Sequence, residues 1–278
     1  MRRSDKVSMK LFVAAAVLVG PILIAAQQQT STPRSGWPCG ARLDMSYFQV
    51  AEGSAGHLLL LAPEEIGDAA TLLTAFGSHP QTIFRLAGSL KPGVHEFQVP
   101  IDPSVESVIF SISAQCLQVA HVLRPSGLPA SGDDVTDLSN FRAQRMVIVT
   151  RPEPGIWTIR VSGSGVSGVM IQARSAIGIS QVQFGPAGST TSNAVPALGV
   201  ENVVRMQISG KFTEIRASLV SGEFRRIADL PLEAGDTEGS YVSRLTPGAQ
   251  GFRVLIAGKD AAGVVFQRLH APLLSAVR

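Results

Sequence analysis

The stretch GIWTIRVSGSGVSGVMIQARS (Gly155–Ser175) decides the fold class. Gly163, Gly165 and Gly168 within it have the G-x-G-x-x-G spacing of a dinucleotide-binding loop. Such a loop needs a strand before the glycines and a helix after them, because the helix N-terminus binds the pyrophosphate. The residues after Gly168 therefore decide between a nucleotide site and a connection between two strands.

Those residues predict a second strand. Val169, Ile171 and Ala173 alternate with Met170, Gln172 and Arg174, and a period of two is typical of a half-buried strand. No acidic residue follows at the distance where ribose would be held. SGSGVSG is therefore predicted to be a hairpin turn, in which glycine supplies positive φ at little steric cost.

The alternation also predicts which residues are buried. Trp157, Ile159 and Val161 share one face of the first predicted strand, and Val169 and Ile171 continue that face in the second. Trp157 is therefore predicted to be a structural residue of the core.

The remaining pattern is that of an all-β protein. From about Gln81 onward, short runs rich in Val, Ile and Phe are separated by Pro, Gly, Ser or Asp, a spacing typical of β-sandwiches. No helical pattern lies between them, which argues against a parallel α/β sheet. One short helix is predicted before them, over residues 62–77, because Glu64 and Glu65 favour a helix N-terminus and Gly77 can end a helix.

Composition divides the chain into two β domains. Residues 184–199 are rich in Gly, Pro, Ser and Thr, which is typical of a linker. We predict a first domain over residues 37–185, a linker over residues 186–199 and a second sandwich over residues 200–278. The second domain contains no cysteine, which excludes an antibody-type disulfide core there.

The first 26 residues have the order of a secretory signal peptide. Basic residues precede the uncharged apolar run Leu11–Ala26. The run is shorter than the ~20 residues of a spanning helix, and Pro21 interrupts it. We predict cleavage after Ala26, a disordered segment over residues 27–36, and a secreted, periplasmic or extracellular protein without stable membrane insertion. An uncleaved signal anchor is the alternative.

The charge balance argues against a nucleic-acid partner. Residues 1–26 hold four basic residues and Asp5, so removing them leaves 20 basic and 20 acidic residues from 24 and 21. A neutral chain provides no overall field that would attract nucleic acid.

Two cysteines, Cys39 and Cys116, are present. An export signal implies an oxidising compartment, where an even count favours a disulfide. Two free thiols or half a metal site are the alternatives, and the absence of a nearby C-x-x-C or histidine pair weakens the metal interpretation. We therefore predict one disulfide.

No catalytic residue or cofactor site is predicted. The chain has neither an H-E-x-x-H motif nor a G-x-S-x-G nucleophile elbow. Its histidines are scattered, at His57, His79, His95, His121 and His270.

One acidic cluster is present in SGDDVTDLSN. Asp133, Asp134 and Asp137 lie there beside Ser139 and Asn140. Calcium prefers several oxygen ligands on a flexible loop, so a calcium site is one interpretation. A solvated loop with turn hydrogen bonds is the other and is preferred.

Two segments resemble a known module pair. RPEPGIWTIRVSGSG (Arg151–Gly165) resembles the signature of the module that follows the von Willebrand A domain in hemicentins and related A-domain proteins. Ala228–Arg268 resembles the immunoglobulin-like module that comes next in those proteins. The resemblance covers roughly Trp37–Leu274 and implies a galactose-binding-like β-jelly roll, preceded here by the short helix and followed by an Ig-like β-sandwich.

The resemblance does not extend to the A domain. Too few residues precede Trp37 for this sequence to include it. The metal-dependent adhesion site of that domain has the motif Asp-x-Ser-x-Ser, and here DMSYF places Phe48 where the second serine belongs. No metal-adhesion function is therefore implied.

These observations predict an exported, non-enzymatic β protein with a structural, adhesive or binding role. Its partner would be a protein or glycan outside the cytoplasm. The alternative is a carbohydrate-binding module that uses the rim loops of the jelly roll, because "galactose-binding-like" describes a fold and a fold does not determine function.

Overall fold

The computed structural model describes residues 11–17, 22–28, 39, 43, 45–138, 141–188 and 192–277. Two α-helices, α1 (Met45–Gly53) and α2 (Ala69–Gly77), lie before the main sheets, and a 3₁₀ helix at Pro63–Asp68 leads into α2. The short helix predicted over residues 62–77 is therefore confirmed, whereas α1 was not predicted.

Strands make up most of the described chain, which confirms the all-β prediction. The strands are β1 (Leu11–Val17), β2 (Ile22–Gln28), β3 (His57–Leu60), β4 (Gln81–Ile101), β5 (Val105–Leu123), β6 (Val135–Leu138), β7 (Gln144–Thr150), β8 (Gly155–Ser175), β9 (Gly178–Pro186), β10 (Asn202–Ser209), β11 (Phe212–Val220), β12 (Arg226–Leu230), β13 (Glu233–Ala234), β14 (Ser240–Leu245), β15 (Arg253–Asp260) and β16 (Val265–Leu269).

The strands form three antiparallel sheets. Their orders are β2-β1-β3, β13-β14-β10-β9 and β12-β11-β15-β16-β4-β8-β5-β7-β6. β1 and β2 lie in the segment predicted to be a signal peptide, whose cleavage stays a prediction. None of the helices in the described ranges is long and apolar enough to cross a membrane.

The hairpin predicted at the glycines of Gly155–Ser175 is wrong. This segment is a single strand, β8, which pairs with β4 on one side and with β5 on the other. The glycines allow the strand to bend. Gly165 has φ +83°, and a Cβ on Gly163 would lie 2.6 Å from the carbonyl oxygen of Cys116 on β5. Glycine is required here because β5 approaches β8 closely, and not because the chain reverses its direction.

β4, β5 and β8 bend together, so the sheet folds onto itself. Phe84 and Phe97 are both on β4, and a straight strand would separate residues this far apart by roughly 40 Å. Their ring centroids are only 5.7 Å apart. Phe110 of β5 and Trp157 of β8 likewise come together across the fold of the sheet, with ring centroids 5.3 Å apart. Register irregularities between Leu90 and Gly93 on β4, and between Ala114 and Val119 on β5, lie at this bend, where bulges commonly kink strands.

The folded sheet encloses the first core. Trp157, Ile159, Val161, Val169 and Ile171 are fully buried in it. These residues are separated by even numbers of positions, so they lie on one face of the bent strand as they would in a hairpin. The indole Nε1 of Trp157 donates a hydrogen bond to the carbonyl oxygen of Glu153 at 3.0 Å.

The N-terminal segment covers one outer face of this domain. Leu59 and Leu61, together with Leu72 and Phe76 of α2, pack against β5, β7 and β8 in a separate buried cluster. That half of the folded sheet is therefore buried on both faces.

The second sandwich begins earlier than predicted. β9 pairs with β10 along its length, and Val182 and Phe184 of β9 belong to the second core. The predicted boundary at residue 185 is therefore too late, and residues 186–199 connect β9 to β10 inside the second sandwich. Gly, Pro, Ser and Thr are typical of long loops as well as of linkers, so composition alone did not distinguish them.

The burial of Trp157 generates a prediction. Trp157→Ala should lower the free energy of unfolding by ~3–5 kcal/mol, the range for truncating a large buried aromatic side chain. Arg160→Ala is the control, because Arg160 is exposed on the other face of the same strand, and it should change stability by less than about 0.5 kcal/mol. Urea unfolding measures both, and an unchanged midpoint for Trp157→Ala would contradict the core assignment.

Candidate functional site

The most distinctive polar feature of the described chain is the contact between the two sandwiches. Two buried ion clusters and one aromatic side chain join them. We call this contact the seam and define it by Glu52, Arg85, Asp102, Phe224, Arg253 and Arg268.

Glu52, on α1, holds an arginine from each sandwich. Arg85 of β4 approaches one carboxylate oxygen, with Nη2–Oε1 at 2.7 Å, and Arg253 of β15 contacts the other oxygen, Oε2. The side chains of Glu52 and Arg253 are 7% and 0% exposed. In addition, the backbone oxygen of Glu52 accepts a hydrogen bond from the N–H of Leu273 at 2.8 Å. α1 is therefore bound to both sandwiches at once.

The two arginines of this cluster use their remaining N–H groups on backbone carbonyls. Arg85 donates to the oxygens of Ala51 and Gly56, at 3.0 and 2.7 Å. Arg253 donates to the oxygen of Ala271 at 2.9 Å. Burial lowers the pKa of the Arg253 guanidinium, and the charge of Glu52 opposes that shift. The charges are thus paired and hydrogen-bonded, which is the condition for burying them.

A second ion cluster lies elsewhere in the seam. Arg268 of β16 lies 2.8 Å from the carboxylate of Asp102, and both side chains are almost fully buried. Arg268 also donates to the oxygen of Ile177 at 2.8 Å and to the Ser175 hydroxyl at 2.5 Å. Burial lowers the pKa of Arg268, and Asp102 raises it. A cation of the second sandwich is therefore neutralised by an anion of the first.

An aromatic side chain completes the seam. Phe224 lies in the turn between β11 and β12, yet it packs against the first core, with its ring centroid 4.5 Å from that of Phe84. Its φ is +61°, a conformation that a bulky side chain rarely adopts. Such a conformation persists only where surrounding contacts hold it, and here the first sandwich supplies them.

The predicted cysteine pair is bonded in the structure. Cys39 and Cys116 have Cα atoms 5.2 Å apart. The bond ties the segment before α1 to the bend of β5. It therefore holds the N-terminal segment close to the first sandwich.

Two residues of the acidic cluster, Asp134 and Asp137, contact arginines. Asp134 accepts hydrogen bonds from Arg124 at 2.8 and 2.9 Å, and Asp137 lies 2.5 Å from Arg145. Ser139 and Asn140 lie outside the described residues. In the described part of the chain, no group of three or more His, Cys, Asp or Glu side chains could hold a metal ion.

The histidines stay dispersed, and His79 has polar contacts through both ring nitrogens. Its Nε2 lies 2.7 Å from the Ser107 hydroxyl, and its Nδ1 lies 2.9 Å from the backbone oxygen of Ala75. Burial lowers its pKa, which favours the neutral ring. These contacts tie the end of α2 to β5. Trp37, a further aromatic residue of the sequence, lies outside the described residues.

Sequence reasoning missed the seam. Its arginines stand in runs such as TIFRLAG, FRVLIAG and VVFQRLH, where an alternating pattern assigns charged residues to the solvent face. The available signal was the position of Arg85 and Arg253 beside buried aromatic and β-branched residues. No local pattern pairs them with Glu52, because the contact joins residues far apart in sequence.

The comparisons with known proteins agree with this architecture. The family described as "Hemicentin galactose-binding domain-like" matches residues 83–176. Residues 83–176 form a hemicentin-like, galactose-binding-domain-like module. The match ends just after β8, at the same place where the structure begins the second sandwich.

The similarity to hemicentins extends over most of this chain. Mouse and human Hemicentin-1 are each 24% identical to it, over 244 and 246 residues, which is 83% of this chain. Mouse Hemicentin-2 is 24% identical over 260 residues, or 86% of this chain. The chain spans only 4–5% of the length of these relatives.

A likeness to a solved structure is much weaker. A Bacillus licheniformis lipase in its propeptide form has a TM-score of 0.33 and 13% identity, covering 68% of this chain and 40% of the lipase chain. A superposition of this quality supports no conclusion about fold or activity.

The Glu52 cluster generates a prediction. Glu52→Gln would leave Arg85 and Arg253 as two buried cations without a counter-charge, so the free energy of unfolding should fall by ~3–5 kcal/mol. Glu96→Gln is the control, because Glu96 pairs with Arg160 on the surface, where both side chains are nearly half exposed. It should cost less than about 1 kcal/mol. Thermal denaturation measures both variants. Equal decreases in melting temperature for Glu52→Gln and Glu96→Gln would contradict the role of the seam.

A second prediction concerns His270, next to the Arg253 acceptor Ala271. Burial lowers the pKa of His270 to about 4, below its ordinary value of ~6.5. The unfolded chain therefore binds a proton first as the pH falls, so stability present above pH ~6.5 is lost between about 6.5 and 4, by at most ~3 kcal/mol.

His270→Gln should flatten that part of the stability profile. His121→Gln is the control, because His121 is exposed on β5 and should leave the profile unchanged. Chemical denaturation from pH 4 to pH 8 measures both. A His270→Gln profile as steep as that of the wild type would exclude this source of pH dependence.

Proposed function

We propose that the chain is an exported, non-enzymatic β protein with a structural, adhesive or binding role outside the cytoplasm, and that its partner is a protein or a glycan. The observation that carries the proposal is the seam. Modules joined only by a flexible linker reorient freely, whereas here the two sandwiches share buried ion pairs and an aromatic contact. A rigid pair suits a protein that holds or presents binding surfaces at a defined spacing.

The disulfide supports export. Cys39 and Cys116 are bonded, and Cys39 is exposed to solvent. Exposed disulfides persist in oxidising compartments and are rare in the cytosol. This agrees with the signal peptide predicted over residues 1–26.

The non-enzymatic role is supported by how the polar side chains are used. Each buried arginine of the seam contacts a buried carboxylate, Arg85 and Arg253 that of Glu52 and Arg268 that of Asp102. His79 connects α2 to β5 through a hydroxyl and a backbone carbonyl. These side chains serve packing between elements, and the sequence offers no nucleophile motif beside them.

A protein partner is favoured over a sugar. Sugar-binding sites commonly use exposed aromatic rings for stacking. Trp157 is fully buried, and among the side chains that the structure describes, which do not include those of Trp37 and Tyr47, the large exposed apolar ones are aliphatic or methionine. Leu128, at 66% exposure in the loop after β5, is the most exposed of them.

A glycan array probed with the exported chain distinguishes the proposal from its carbohydrate-binding alternative. We expect no selective glycan binding. Leu128→Asp is the matched variant, because it alters a rim loop and leaves both cores intact. Selective binding of one sugar class by the wild type, lost in Leu128→Asp, would establish the alternative instead.

A further inference from the structure

The short strand β3 is held in place by the first sandwich. Leu59 is fully buried in the cluster that packs on β5, β7 and β8. At the start of β3, His57 Nε2 lies 2.9 Å from Gln172 Oε1 of β8. Just before it, the backbone oxygen of Gly56 accepts a hydrogen bond from Arg85 at 2.7 Å. These contacts are made with residues of the first sandwich, so they do not depend on the predicted signal peptide.

One edge of β3 is covered by a strand of the predicted signal peptide. β1 pairs with β3 in antiparallel register, from Ala14 opposite Leu60 to Val17 opposite His57. The sheet order is β2-β1-β3, so β1 is the partner of β3 among the described strands. A strand that loses its neighbour presents a row of N–H and C=O groups that need new partners. Cleavage after Ala26 would remove β1 and leave the edge of β3 in that condition.

β1 shows which chemistry this edge accepts. Its sequence is LFVAAAV, which contains no charged or hydrogen-bonding side chain. Ala14–Ala16 stand opposite Leu58–Leu60. Directly opposed residues have Cβ atoms only about 4.5–5.5 Å apart, so small residues can stand beside three consecutive leucines without displacing them. The occupant that fits is an extended, uncharged segment with small apolar residues at successive positions.

We propose that removal of the signal peptide uncovers the edge of β3, His57–Leu60, and that the exported chain binds an extended apolar segment of a partner protein there by strand addition. The segment takes the place and the antiparallel direction of β1. The inference rests on the proposed export of the chain, and it names the surface and the kind of segment that a protein partner would use. Main-chain hydrogen bonds give strand addition its affinity, and the side chains at alternate positions give it selectivity.

The signal peptide and the partner compete for the same edge. In the uncleaved chain β1 is tethered to β3, and a tethered strand has an effective concentration far above that of a partner in solution. The uncleaved chain is therefore closed to the partner. β3 offers four residues, against the roughly 20–30 residues per side of a standard interface, so binding to the exported chain is weak and reversible.

A fluorescently labelled peptide with the sequence of Leu11–Val17, placed between pairs of lysines for solubility, is the probe. Fluorescence anisotropy measures its binding to the exported chain, whose first residue is identified by N-terminal sequencing. We expect saturable binding to a chain that begins at Gln27. Binding to the uncleaved chain should be at least about tenfold weaker, because β1 occupies the edge there.

Two N-methylated forms of the peptide supply the matched control. β1 pairs with β3 on one side and with β2 on the other, and the N–H groups of successive residues point to opposite sides of a strand. One alternate set of amides therefore faces β3. Of the peptides methylated at Ala14 and Ala16 or at Ala15 and Val17, one should bind about tenfold more weakly and the other within about twofold of the parent.

Hydrogen–deuterium exchange locates the bound peptide on the protein. The amides of β3 should exchange rapidly in the exported chain and more slowly when the peptide is added, whereas those of β12, in the second sandwich, should not change. Amides of β3 that are protected before the peptide is added would mean that another segment or a second copy covers the edge, which would overturn the inference.

The remaining outcomes separate this inference from the proposed export. A chain that begins at Gln27 and does not bind the peptide would overturn the inference and leave export intact. So would equal responses to the two methylated peptides, or an exported chain that keeps residues 1–26. A chain retained inside the cell would instead contradict the proposed export itself.

Discussion

The carboxylate of Glu52 is the contact on which the arrangement of the two sandwiches depends. It accepts Arg85 from the first sandwich and Arg253 from the second. Burying three charged groups is costly, and the cost is offset only while all three are paired and hydrogen-bonded. The arrangement therefore tolerates little sliding or rotation between the sandwiches, because a small displacement would leave a buried cation without its anion.

A second constraint acts inside the first sandwich. β4, β5 and β8 are long enough to contribute to both layers, and the fold exists because all three bend at the same level. Gly163 allows β5 to approach β8 closely, and Gly165 takes a positive φ. The Cys39–Cys116 bond attaches the N-terminal segment at this bend, which brings α1 toward the position where Glu52 acts.

The two constraints explain which surfaces are left for binding. The N-terminal segment covers one outer face of the folded sheet, and Phe224 of the second sandwich closes the side of the first core. The other outer face stays exposed at Val94, Glu96 and Gln98 of β4. The same packing that makes the unit rigid therefore determines where a partner can approach it.

The sequence by itself determined the all-β class, the helix before the sheets, the buried face of β8 and the hemicentin-like module, because each depends on local periodicity, capping or a contiguous motif. Trp157 and Ile171 are separated by an even number of positions. They therefore lie on one face whether the segment is a hairpin or a single bent strand. Only the tertiary structure decided that the glycines bend one strand, that β9 belongs to the second sandwich, and that Glu52 joins Arg85 to Arg253. The physical reason is that these features arise from contacts between segments distant along the chain. Neither glycine spacing nor a charged residue in an apolar run specifies the distant partner that it will meet.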